Sequence, residues 1–182
     1  MLKKWVISLI GGLVGFTASA QTITSESFQQ LSGDVDKHKI QIYVEQLRQI
    51  QDTAGTPEQV REQINSNIYY TGMCSLEREM LFNLTKANAL AADAAHLRAH
   101  YGFLSQAMER LNLVSAEQSV AEFNALRPQS EAYLTNLYSA GSKGDDPDAQ
   151  AAMLAFSDTC RQVTLAARSV DTMAVTRHQQ GR

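Results

Sequence analysis

The sequence predicts an all-α chain: a single-domain antiparallel helical bundle of four to five helices, stapled by one disulfide. Three observations predict it. Apolar side chains recur at steps of three and four along most of the chain. The breaks between these stretches carry helix-stop and helix-start residues. The chain has two cysteines, Cys74 and Cys160, and two thiols in an oxidising compartment pair most simply with each other.

The compartment is read from residues 1–20. Lys3 and Lys4 form a short positive start, and Trp5 to Phe16 is an uncharged apolar run. That run is shorter than the roughly 20 residues a membrane-crossing helix needs. Ala18-Ser19-Ala20 then offers the small-x-small pattern cut by signal peptidase, which predicts a mature chain starting at Gln21. No later apolar stretch follows, so no integral membrane segment is expected after signal removal. The product is expected to be soluble in a bacterial periplasm or outside the cell. Removing the signal takes two lysines with it and changes the net charge from −3 to −5. An acidic chain with no basic run argues against nucleic acid or anionic lipid as a partner.

Residues 21–33 are polar and lack a sustained period, which predicts a flexible arm. The bundle is expected over 34–176, with 177–182 a flexible tail. The first helix is expected over 34–53, where Ile40, Tyr43, Leu47 and Ile50 share one face. Gly55-Thr56-Pro57 punctuates the chain, and Thr56 with Gln59 makes a capping-box pattern. The second helix carries Val60, Ile64 and Ile68 and is expected to end near Gly72. A third is expected over 76–112 with Ser75 as its N-cap. Its stripe of Leu90, Ala94, Leu97, Tyr101, Leu104, Met108 and Leu111 is the most regular in the chain. Ser115 and Gln118 form a second capping-box pattern, Pro128 predicts a kink or restart, and Gly141 is expected to end that segment. Residues 141–146 read as a loop. Asp146-Pro147 opens the last helix, whose stripe of Met153, Phe156, Cys160, Val163, Ala167, Val170 and Ala174 places Cys160 on the buried side.

Chemistry-bearing patterns are sparse. Asp93, His96 and His100 lie at helical spacing on one side of the third helix. Two imidazoles four apart can chelate zinc or copper, with a carboxylate as third ligand. No Glu follows His96, as a zinc-protease motif would require. Covalent haem is excluded by the absence of C-x-x-C-H; Met153 or Met173 with His178 are candidate non-covalent axial ligands. The Gly-x-Ser-x-Gly and Ser-x-x-Lys nucleophile motifs are absent.

These features favour a non-enzymatic protein without a cofactor, acting by binding another envelope or secreted protein. An accessory component of a secretion or conjugation apparatus and a periplasmic immunity protein both belong to this class. Candidate contact surfaces are the arm 21–33, the loop 141–146 and the Tyr69/Tyr70 pair, although a place in the core is the stronger expectation for these two tyrosines. A metal- or haem-binding bundle is the alternative.

Overall fold

A computed structural model describes residues 33–53 and 55–181. The expected signal peptide and all but the last residue of the expected arm lie outside the described residues. Five helices follow in order: α1 (Asp34–Thr53), α2 (Pro57–Thr85), α3 (Asn88–Arg110), α4 (Ala116–Lys143) and α5 (Pro147–Gln179). No strand occurs among the described residues. The all-α bundle and its disulfide are as expected from the sequence. None of the described helices is long and apolar enough to cross a membrane.

The capping residues act as their chemistry dictates. Thr56 Oγ1 accepts from the backbone N–H of Gln59, and the Gln59 side chain accepts from the Thr56 N–H, closing the box at the start of α2. Ser115 accepts from the Gln118 N–H, but the Gln118 amide turns to Glu122, so that box is half formed. Asp146 accepts from the N–H groups of Asp148 and Ala149, with Pro147 in the first turn of α5.

Three boundaries differ from the sequence expectation. The chain does not break at Gly72–Ser75; α2 runs through to Thr85. Gly72 is a packing glycine, since a Cβ there would meet the Phe123 ring at 2.8 Å. Ser75 Oγ donates back to the Gly72 carbonyl inside the helix and caps nothing. The break falls at Lys86, in the left-handed conformation (φ 58°), with its N–H bonded to the Phe82 carbonyl. At the far end of α4, Gly141 packs against Met153 within the helix, and Gly144 (φ 76°) ends it. Pro128 sits inside an uninterrupted α4. Finally, α5 continues to Gln179, past the expected start of the tail at 177, because Arg177 forms a two-pronged pair with Glu45 on α1.

Helices α2, α3 and α5 each contact all the others and form the middle of the bundle, with α1 and α4 on opposite flanks. The core divides accordingly. On the α1 side, Ile40, Val44, Leu47, Ile64, Phe103, Leu104, Met108 and Val170 pack together. On the α4 side, Met73, Leu76, Met80, Tyr101, Val120, Phe123 and Leu134 do so. Cys74 and Cys160, bonded to each other and fully buried, lie with Leu97 and Ala167 in a third, smaller cluster.

Candidate metal-ligating cluster

The regular stripe of α3 faces the middle of the bundle, which places His96 and His100 on its border toward α1 and α5. His100 is buried to 1% exposure, and His96 remains partly exposed. Their rings stand 4.5 Å apart. Both turn Nε2 toward one carboxylate, that of Asp171 on α5: His96 Nε2 lies 2.5 Å from Oδ2 and His100 Nε2 lies 3.1 Å from Oδ1. One ligand atom from each of these three residues lies within 4.8 Å of the others.

Two residues of α1 complete the arrangement. Lys39 Nζ reaches Asp171 Oδ1 at 2.9 Å and Asp36 Oδ1 at 3.4 Å, and sits 5.0 Å over the Phe103 ring. The Tyr43 hydroxyl lies 2.7 Å from His100 Nδ1. Lys39 and Tyr43 are four apart, so they share the α1 face that meets α3.

The electrostatics follow from burial and donor count. Burial pushes the Asp171 carboxyl up. The hydrogen bonds of Lys39 and His96, with the charges of His100 and Lys39, outweigh it and hold the group below its ordinary value. Burial drives His100 down to about 4, against the pull of Asp171, so its imidazole is neutral at pH 7. An ionised carboxylate only accepts, so His100 Nε2–H donates to Asp171 and Nδ1 accepts from the Tyr43 O–H. Nδ1 of His96 is buried with no hydrogen-bond partner.

The carboxylate expected from the sequence, Asp93, is not part of this group. It pairs instead with Arg168 of α5 at 2.6 Å, one turn away from Asp171 along that helix. The two expected histidines are brought together, and the third ligand comes from a helix that spacing within α3 could not reveal. The haem candidates are not brought together. Met153 and His178 stand about 37 Å apart along one continuous helix, and Met173 and His178 project about 140° apart around it. Neither pair can face the two sides of one macrocycle.

A second polar cluster lies on the other side of the disulfide. Glu77 is fully buried, accepts a short hydrogen bond from the Tyr138 hydroxyl, and has Arg78 Nη1 3.4 Å from its other oxygen. That oxygen makes no hydrogen bond. Burial raises the Glu77 carboxyl despite Tyr138, Arg78 and Ser157.

Of the surface candidates, Tyr69 and Tyr70 are exposed, at 46% and 37%, with their rings edge to face. Tyr69 and Leu126 rim an apolar pocket of about 220 Å³ whose walls include Met73, Leu76 and Phe123. Tyr133 adds a third exposed ring near Tyr69. Compared with protein-family models, curated proteins and solved structures, the chain gives no match in any of the three.

Proposed function

We propose that the chain is an exported, non-catalytic binding protein that engages another envelope or secreted protein through the α2–α4 face. One observation carries this reading: exposed Tyr69 and Leu126 rim the apolar pocket between α2 and α4, and exposed Tyr133 lies near Tyr69. At about 220 Å³ the pocket falls below the roughly 300–1,000 Å³ of small-molecule sites. It suits a single bulky aliphatic or aromatic side chain. A tyrosine at the rim of an apolar pocket suits an interface hot spot, where a few anchor residues supply most of the affinity. Export is supported by the residues at 1–20 and by a buried disulfide of the kind that persists in oxidising compartments.

Mild crosslinking in native cell envelopes tests the reading. The expected result is one stoichiometric partner protein, lost when Leu126→Asp places a charge on the pocket rim, with the helical content unchanged. Recovery of the wild-type chain alone, or a partner indifferent to Leu126→Asp, would overturn it. N-terminal sequencing of the recovered chain should begin at Gln21; an intact Met1 would remove the export step. An accessory role in secretion or conjugation and an immunity role differ in the partner found, an apparatus component or a toxin.

A further inference from the structure

We infer that His96, His100 and Asp171 form a binding site for a divalent transition-metal ion of the zinc, cobalt or copper class, and that the Lys39 ammonium competes with the ion for Asp171. The inference is independent of the protein-binding reading and concerns the opposite flank of the bundle.

Two imidazole nitrogens and one carboxylate oxygen are a borderline donor set, suited to zinc and its neighbours rather than to calcium or magnesium. The ligand atoms already lie within 4.8 Å of one another. Metal–ligand bonds of roughly 2.0–2.2 Å in tetrahedral array require ligands somewhat over 3 Å apart. The 2.5 Å and 3.1 Å contacts, each to a different Asp171 oxygen, therefore need to open by less than about 1 Å, and a ligand pair as wide as 4.8 Å needs to close by about 1.4 Å. Rotation of His96 and Asp171, both partly exposed, supplies that movement. No hydrogen bond to His96 Nδ1 resists it.

His100 is the firmer ligand. It is buried, and Tyr43 fixes its second nitrogen. When Nε2 takes the ion, its proton leaves and Nδ1 gains one from solvent, so the imidazole stays neutral. Nδ1–H then donates to the Tyr43 oxygen, the oxygen partner that metal-bound imidazoles usually have. His96 lacks such a partner, and a buried unpaired N–H there weakens binding by roughly ten- to a hundredfold.

Lys39 occupies the carboxylate as a cation in the ion's stead, 2.9 Å from Oδ1. Asp36, 3.4 Å from the same ammonium, offers it an alternative seat. An imidazole that ligates a metal carries no charge, so in the bound state Asp36, Asp171 and Lys39 sum to one negative charge, which a dication reverses to one positive charge. An uncharged residue at 39 leaves two negative charges facing the ion.

The test is titration of the chelator-treated full-length chain with Co²⁺ and Zn²⁺, followed by visible absorption and calorimetry. Expected are one equivalent bound, the visible band of a four-coordinate cobalt–nitrogen complex, and its bleaching by zinc. Lys39→Gln should tighten binding at least tenfold. His96→Gln, which alters the more exposed imidazole, should abolish the band while leaving the far-ultraviolet circular dichroism unchanged. Absence of binding by the wild-type chain up to millimolar ion would overturn the inference. So would binding that survives His96→Gln, or a Lys39→Gln variant that binds no more tightly.

Discussion

Asp171 and Glu77, acidic side chains on opposite flanks of this bundle, behave in opposite ways. Asp171, on the α1 side, is surrounded by donors: Lys39, His96 and His100 all reach its two oxygens. Glu77, on the α4 side, is more deeply buried yet has one hydrogen-bonded oxygen and one that meets a guanidinium at 3.4 Å. Burial raises both groups. Only around Asp171 do the donors outweigh it, so that carboxyl is held down while Glu77 is pushed up. Depth alone therefore does not decide the charge state of a buried acid; the balance between its desolvation and the charges and hydrogen bonds that reach it does.

The largest expected effect concerns the bond between these two regions. Cys74 lies one turn before Glu77 on α2, and Cys160 lies on the same helix as Asp171. Replacing both cysteines by alanine opens an 86-residue loop and should cost about 4–5 kcal/mol in denaturant unfolding. The Glu77 side, with the weaker polar network, should lose amide-exchange protection first. A loss shared evenly by both sides would show that the networks do not set local stability.

Acidification sharpens the contrast. His100 falls from its ordinary 6.5 to about 4 in the folded chain, so between those values the unfolded chain binds more protons. Stability is therefore intact above pH 6.5 and declines as pH drops to about 4, by on the order of 3 kcal/mol. His100→Gln should flatten this decline. Below pH 4 a further loss should follow as Asp171, the depressed carboxyl, takes up its proton.

Direct substitution comes next. Asp171→Ala removes the acceptor shared by two imidazoles and leaves Lys39 only Asp36, and should cost about 2 kcal/mol, measured at pH 7. Glu77→Gln should do the reverse. A raised carboxyl favours the fold below its unfolded value and penalises it as pH rises through the folded one. The amide keeps an acceptor for Tyr138 and removes the buried charge, so the variant should be about 1 kcal/mol more stable at pH 7. A destabilised Glu77→Gln would mean that the Arg78 pairing outweighs the desolvation of Glu77.

The legibility of these features in the sequence differs for a physical reason. The stripe of α5 was readable because that helix has one buried side. The stripe of α3 was readable because Ala94, Leu97, Tyr101, Leu104 and Met108 keep the three-and-four spacing even though residues 100–105 are buried all round. Residues 71–78 of α2 are buried all round, so no polar side alternates with an apolar one. That is why a central stretch of helix reads as a break, with Gly72 and Ser75 as false punctuation. The true joint at Lys86–Ala87 carries neither glycine nor proline, and no side chain caps the start of α3. For the site, His96 and His100 announce themselves by local spacing. Asp171 lies 75 and 71 positions further on, and Lys39 and Tyr43 lie far upstream. Period and composition describe one helix at a time; which helices meet, and in what rotation, is a property of the packed bundle.

The disulfide also constrains how the molecule is made. Both sulfurs have no contact with solvent, and exchange proceeds only when a thiolate can approach a sulfur in line. Oxidation must therefore come before the core closes. A chain delivered from its N-terminus presents Cys74 long before Cys160 is available, leaving an unmatched thiol waiting for its mate. Once closed, the same enclosure should shut out small-molecule reductants, so that loss of the crosslink follows the rate of unfolding rather than reductant concentration.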